Sequence, residues 1–223
     1  MIREIAFFLR HGPGVGRKQS SMEKVEFQNW LAARVDEDGM AASRASLVEG
    51  LRGEVVEIGC GSGAMFQYYS SDVRVTAIEP DDEFRVGAEQ AAHDVVAEIR
   101  VVPGFAESLT MSDNSVDAIV CSTVLCSVNS IAETLAEFKR VLKPGGSLRL
   151  LEHVKSDNRI AGPLMNLTNP LWIWINKVGC NWNRSVEEPV LGAGFRIASV
   201  ERIKFYSTAA PATFPYLLIK AEK

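Results

Sequence analysis

The chain has 223 residues, 47% hydrophobic and 23% charged, a balance that suits one ordinary domain with a real core and excludes disorder, collagen-like repeats and a coiled coil. A formal net charge of -4 argues against a nucleic-acid binder that works through a basic surface. The four cysteines, at 60, 121, 126 and 180, form no CxxC pair and show no zinc spacing. With no signal peptide, they read as reduced thiols of a cytoplasmic protein, and no metal is expected.

Near the start, Ile2, Ile5, Phe8 and Leu9 fall at helical spacing, with Arg3 and Arg10 on the polar face. They read as a short amphipathic helix packed on the core. No apolar run approaches the ~20 residues of a spanning helix, so stable membrane insertion is not expected and weak peripheral association is the one alternative. A Gly-rich loop, His11 to Gly16, comes next. Met22 to Val35 and Ala41 to Leu51 read as helices, the second ending near Gly53. Residues 1–50 therefore form an N-terminal helical lid or cap, and residues 51–223 the main domain.

From residue 54, strands and helices alternate. Glu54 to Ile58 reads as a strand stopped by Gly59, Ala64 to Ser70 as a short helix, and Val73 to Ile78 as a second strand. Asp81 caps a helix that runs to His93, and Ile99 to Val102 is a third strand. Val116 to Cys121 is a fourth, and Ile131 to Leu142 an amphipathic helix stopped by Pro144-Gly145-Gly146. A fifth strand opens at Leu148; Phe195 to Ile203 and Tyr216 to Ala221 supply two more. Leu171-Trp172-Ile173-Trp174-Ile175 fits a strand or a buried helix equally. The alternation predicts an α/β fold with a mostly parallel sheet, helices on both faces and an antiparallel hairpin at one edge.

The strongest chemical signal is Glu57-Ile58-Gly59-Cys60-Gly61-Ser62-Gly63, which follows a strand and precedes a helix. Glycines let the backbone turn sharply and approach a ligand, and free N–H groups there favour an anionic or carboxylate group. The spacing is G-x-G-x-G; Ala64 puts the third glycine of a dinucleotide site out of register. Glu79 closes the second strand, where a carboxylate can accept hydrogen bonds from both ribose hydroxyls of an adenosine; the alternative is a solvated strand-end acid. Phe105 to Leu109 falls where an adenine edge would lie. Asp113 to Asp117 and Lys143 to Gly146 are assigned to the same ligand edge.

These residues resemble a known family. The runs V-E-I-G-C-G-S-G, A-I-E-P, A-E-S-L, D-N-S-V-D-A-I-V and R-V-L-K-P-G-G, in that order, look like a class I S-adenosylmethionine-dependent methyltransferase. The resemblance implies a Rossmann-like seven-stranded sheet with the last strand antiparallel, and S-adenosylmethionine as cofactor. It implies that Glu57, Gly59, Cys60, Gly61 and Gly63 shape the pocket for the methionine end. Glu79 and Pro80 hold the ribose, Ala106 and Glu107 flank the adenine, and Ser122 and Thr123 face the transferring methyl region. More narrowly, Val124 to Val128, Glu152-His153-Val154 and Gly179-Cys180-Asn181 with Arg184 are similar to the methyltransferase-like protein 7 group. That group methylates thiols on small molecules and carries an N-terminal membrane anchor, which this chain has at most in rudiment.

The acceptor side is read from chemistry. His153, at the carboxyl end of the fifth strand, is the candidate catalytic base, or else a structural histidine bonded to a backbone carbonyl; His11 and His93 are weaker. Cys126 lines the site as a second catalytic candidate or simply packs. Met165, Leu171, Trp172, Trp174 and Ile175 form an apolar lid over the acceptor or complete the core. Asn181 and Arg184 orient a polar group or cap a helix. The expected function is methyl transfer to a small molecule, thiol S-methylation first. The alternatives are O-, N- or C-methylation of a natural product or quinone-like ring, and a non-catalytic cofactor-binding scaffold. The partner is a small-molecule substrate and not nucleic acid, and the protein is a monomer or homodimer.

Overall fold

Alternating apolar segments and helices close into one sheet. The structure is a computed structural model that describes residues 23–176, 179–208 and 212–223. The amphipathic start, the Gly-rich loop and His11 lie outside the described residues. The strands are β1 (Gly53–Ile58), β2 (Val73–Ile78), β3 (Glu98–Val102), β4 (Val116–Ser122), β5 (Leu142–His153), β6 (Arg196–Ser207) and β7 (Ala212–Glu222), in the order β3-β2-β1-β4-β5-β7-β6. The first five pair in parallel, and β7 runs antiparallel to both β5 and β6. This is the expected Rossmann-like architecture. Strand order reverses between β1 and β4, and ligands of such sheets bind outside the carboxyl ends at that point.

Because side chains alternate along a strand, each parallel strand feeds two cores. Val56, Ile58, Ile119, Cys121, Leu148 and Leu150 meet Leu135, Phe138 and Val141 on one face. Val55, Val75, Ala118, Val120 and Leu151 meet Leu47 and Val48 on the other. Full burial of each such side chain contributes roughly 1.5–3 kcal/mol, so the sheet is held from both sides. The covering helices are α1 (Lys24–Val35), α2 (Ala41–Val48), α3 (Asp82–Ala92), α4 (Ile131–Val141), α5 (Ala161–Asn176) and α6 (Glu187–Gly192). Asp81 caps α3 as expected, its side chain accepting from the Glu83 and Phe84 N–H groups at 3.0 and 3.3 Å.

Between α1 and α2 a π turn, Asp36–Met40, kinks at Gly39 (φ 116°). The kink is tied down on both sides. Asp36 accepts from Arg44 and Tyr68 at 2.9 and 2.8 Å, and Asp38 accepts from the Thr208 N–H at 2.6 Å.

Three elements differ from the sequence expectation. Ala64 to Ser70 holds only a single 3-10 turn, Phe66–Tyr68, because Phe66 must tuck under Gly63. β5 begins at Leu142, directly after α4, so Pro144-Gly145-Gly146 lies in the strand; a register shift against β4 between Val116 and Ala118 absorbs it. Leu171 to Ile175 belongs to α5, which continues through Pro170. Among the described residues no helix is long and apolar enough to cross a membrane, and no three His, Cys, Asp or Glu side chains group as metal ligands.

Candidate active site

The loop after β1 is folded onto β2 by main-chain bonds. The Gly59 and Cys60 N–H groups both donate to the Ile78 carbonyl, at 2.8 and 3.2 Å. Gly59 has φ 63°, and a Cβ there would lie 2.8 Å from Val124, so only glycine lets the β1 loop and the loop after β4 approach this closely. The Gly61 N–H donates to Glu79 Oε2 at 2.9 Å, and the Asp81 N–H donates to Oε1 at 3.0 Å. Glu79 is thus aimed at the glycine loop and is only 7% exposed. Burial raises its pKa, while the Asp81 and Gly61 hydrogen bonds oppose the rise.

Glu57, two residues before Gly59, is the second buried carboxylate here. Burial lifts its pKa to about 8, and the nearby Tyr69 hydroxyl and Arg44 guanidinium pull it back. Its Oε2 has no hydrogen-bond partner among the described residues. Both glutamates act on Cys60, whose thiol burial chiefly pushes up. Gly61 (φ 55°) has nothing within 4 Å of where its Cβ would be. An open glycine cradle beside two buried carboxylates, one of them incompletely bonded, fits a cationic adenosyl ligand. On the outside, α1 covers the loop: Ser62 Oγ donates to Asn29 Oδ1 at 2.5 Å, and Val25 lies against Gly87 of α3.

The loop after β4 is built by distant side chains. Thr123 has φ 60°, a left-handed conformation unusual for a β-branched residue. Its N–H donates to the Leu151 carbonyl at 2.8 Å and its hydroxyl to the Ser122 carbonyl at 2.6 Å. Glu152 Oε1 accepts from the Val124 and Leu125 N–H groups at 3.0 and 3.1 Å. Arg184 donates to the Leu125 and Val128 carbonyls, both at 2.7 Å. Asn181 donates to the Cys126 carbonyl through its N–H at 2.8 Å and its side-chain amide at 3.1 Å. One acid, one base and one amide therefore clamp the turn. Glu152 is fully buried, and burial lifts its pKa to about 8.

His153 stands beside this turn, 5% exposed, with neither ring nitrogen bonded among the described residues. Burial lowers its pKa to about 4, so the imidazole is neutral at physiological pH. Phe214 and Tyr216 meet it edge-on, each with ring centroids 5.5 Å away. Trp172 stacks on Trp182 at 4.6 Å and reaches Phe214, which extends an aromatic wall from His153.

Comparison with known proteins agrees with this geometry. Residues 56–150 match the family model described as a methyltransferase domain. The chain is 34% identical over 167 residues to human thiol S-methyltransferase TMT1B, an alignment covering 70% of this chain and 68% of the relative. The chain belongs to the class I S-adenosylmethionine-dependent methyltransferases. It is also 33% identical over 151 residues to the rat thiol S-methyltransferase TMT1B, covering 66% of this chain and 62% of that protein, so it spans under two thirds of the rat relative's length. In fold it is similar to an S-adenosylmethionine-dependent methyltransferase from Mesorhizobium loti, with a TM-score of 0.63 and 18% identity over 85% of this chain and all of that one (100%). The cofactor of the family is S-adenosylmethionine.

In this member of the family the expected cofactor residues fall into three groups. Glu57, Gly59, Cys60, Gly61, Gly63 and Glu79 gather at the ends of β1 and β2, and Pro80 follows them, exposed. Ser122 ends β4 on the same edge, and Thr123 follows it. Ala106 is buried, and Glu107 accepts from the Asn129 N–H at 2.7 Å, which ties the loop after β3 to the loop after β4.

Other expectations are corrected. Asp113 to Asp117 and Lys143 to Gly146 lie at the amino ends of β4 and β5, opposite the ligand edge. There Arg140 pairs with Asp113 at 2.7 Å and Lys143 with Asp117 at 2.6 Å, bracing the sheet. Asn181 and Arg184, expected to orient a polar group or cap a helix, both donate to main-chain carbonyls of the loop that contains Cys126. In the expected lid, residues two apart on a helix point to different sides, so Trp172 turns inward while Trp174 is 76% exposed. Leu171 is exposed as well, Met165 is half-buried, and the Ile175 side chain lies outside the described part. His93 ends α3, away from the site. A shallow cleft between α4 and α6, lined by Ile131, Lys139 and Pro189, includes none of the expected cofactor or acceptor residues in its lining. Glu152 is not among the expected site residues, although an acid directly after the strand residues Leu150-Leu151 is a readable signal.

Proposed function

We propose that this protein methylates the sulfur of a small-molecule thiol. Bound S-adenosylmethionine supplies a methyl group already activated on a sulfonium. The chain's part is to hold the acceptor in line, which contributes up to ~7–11 kcal/mol in ideal systems. Glu79 would take the ribose hydroxyls, and the buried Glu57 carboxyl, its pKa raised to about 8, would hydrogen-bond at the methionine end. Ser122 and Thr123 would flank the transferring methyl, and α1 with the rest of residues 1–50 would act as the cap. Trp172, Phe214 and Tyr216 would wall the acceptor and exclude water.

The observation that carries the thiol reading is His153. An imidazole held near a pKa of about 4 is a weak proton acceptor. It matches an acceptor that ionises by itself near neutrality, as a thiol does with a pKa of ~8.5, and poorly matches a phenol at ~10. The likeness to thiol S-methyltransferases supports the same choice. The four free cysteines support a reducing, cytoplasmic setting.

Matched aryl thiol and phenol acceptors with labelled cofactor test the proposal. Transfer to the thiol is expected, with His153→Ala retaining it to within a few-fold. Transfer to the phenol alone, or thiol transfer abolished by His153→Ala in a folded protein that still binds cofactor, overturns it.

A further inference from the structure

The clamp on the loop after β4 brings together two cysteines that the proposed methyl transfer leaves unused. Cys126, 2% exposed, lies in the loop; Cys180, partly covered, lies in the segment that clamps it. The Asn181 N–H bond to the Cys126 carbonyl, 2.8 Å long, sets the two backbones side by side next to the sulfurs. The Cys126 and Cys180 thiols share a hydrogen bond, and Trp172 lies beside the pair. Trp172 is itself fixed by its stack on Trp182, whose indole N–H donates to the Met165 carbonyl at 2.9 Å.

These contacts divide the labour between the sulfurs. The hydrogen bond with Cys126 holds the Cys180 thiol below its usual pKa, against the opposing effect of burial. The same bond, together with burial, pushes Cys126 up. A partly exposed, easily ionised thiol in contact with a second thiol has the arrangement of an attacking and a resolving cysteine. Cys60 and Cys121 are both buried, and burial raises both thiols.

We infer that Cys126 and Cys180 form a dithiol site that reacts with small-molecule disulfides and closes into an intramolecular disulfide. The Cys180 thiolate attacks one sulfur of R–S–S–R, breaks that bond, forms a mixed disulfide and releases one RS⁻. Cys126 gives up its proton to solvent and attacks the Cys180 sulfur, releasing the second RS⁻. The two cysteines are oxidised, the small disulfide is reduced to two thiols, and no other reactant is needed. Closure would tie the loop after β4 covalently to the 179–184 segment, so reduction or oxidation would set how freely the acceptor side opens. The inference stands independently of methyl transfer, because it is read from sulfur stoichiometry.

The test treats the fully reduced chain with an aryl disulfide that releases a coloured thiolate. Two coloured thiolates per chain are expected in the fast phase, with no aryl group retained. The protein mass should fall by two hydrogens, a peptide map should join the Cys126 and Cys180 peptides, and a reductant should reverse all three. Cys126→Ser should release one thiolate and keep the aryl group on Cys180; Cys180→Ser should lose the fast phase. An aryl group retained on Cys180 in the unsubstituted protein overturns the inference. So does a cross-link to Cys60 or Cys121, or the absence of a fast-reacting thiol. If either variant fails to fold, the peptide map of the unsubstituted chain decides alone.

Discussion

Two glutamates hold the two sides of the crevice by the same device, a carboxylate that accepts main-chain N–H groups. Glu79 takes those of Gly61 and Asp81 within its own neighbourhood of the chain, and faces a loop left open at Gly61. Glu152 takes those of Val124 and Leu125, 28 and 27 positions away, and is sealed in the core. The first carboxylate keeps capacity for a ligand. The second gives Oε1 to shaping the turn that the acceptor must meet, and its Oε2 is sealed in the core without a partner among the described residues. Similar chemistry therefore serves binding on one side and architecture on the other, and depth of burial makes the difference.

The comparison breaks most sharply at Glu79. Hydrogen bonds to charged groups contribute ~1.5–3 kcal/mol, so Glu79→Ala should weaken S-adenosylmethionine binding by roughly ten-fold to a hundred-fold in calorimetry. Its effect on thermal stability should be the lesser one. Glu152→Ala should do the reverse. It strands two N–H groups at a cost of about 1–3 kcal/mol, and the melting temperature should drop by roughly 2–4 °C per kcal/mol with cofactor affinity less affected. Equal loss of affinity in both variants would erase the distinction.

A pH series sharpens it. Glu57 and Glu152 are each raised from 4.5 to about 8 in the fold. The folded state then binds more protons than the unfolded one across that interval. The stabilising neutral form is fully available below pH 4.5, and its contribution drains away as pH climbs to about 8. His153 runs the other way: lowered from 6.5 to about 4, it makes stability rise with pH between those values. Above 6.5 only the two carboxyls remain active among these three groups. Denaturant melts should therefore show stability falling from pH 6.5 to 8, with a shallower fall in Glu152→Gln. An unchanged slope in that variant would count against a buried neutral Glu152. The smallest effect separates the tryptophans. Trp172→Ala should cost at least the stack with Trp182, ~0.5–1.5 kcal/mol, and Trp174→Ala should stay within ~0.5 kcal/mol in the same melts.

The same contrast explains what could be read from the amino acids alone. The β1 and β2 side is written contiguously: Glu57 to Gly63 and Glu79-Pro80 stand beside strands whose apolar runs are plain. The seven strands were legible for the same reason. On the other side, Arg184 reaches the Leu125 carbonyl across 59 positions, so no local spacing reveals that it braces main chain there. The tryptophan run was undecidable because period two and helical burial predict similar short apolar stretches. Residues that introduce a strand belong to its amino end, which places Asp113 and Lys143 opposite the ligand edge expected from their motifs. Pro144-Gly145-Gly146 has the composition of a stop, and the sheet accommodates it as an irregular strand opening.

Thr123 gives the end of β4 an unusual mechanical character. Residues held in sparsely populated backbone regions cost of order 1–3 kcal/mol, and here the hydrogen bond to Leu151 and the clamped turn beyond keep that tension in place. The fold thus carries a loaded hinge at the point where methyl donor and acceptor would meet. Any event that slackens the neighbouring turn lets this joint relax, so a small change there need not spread through the whole sheet to reshape the pocket.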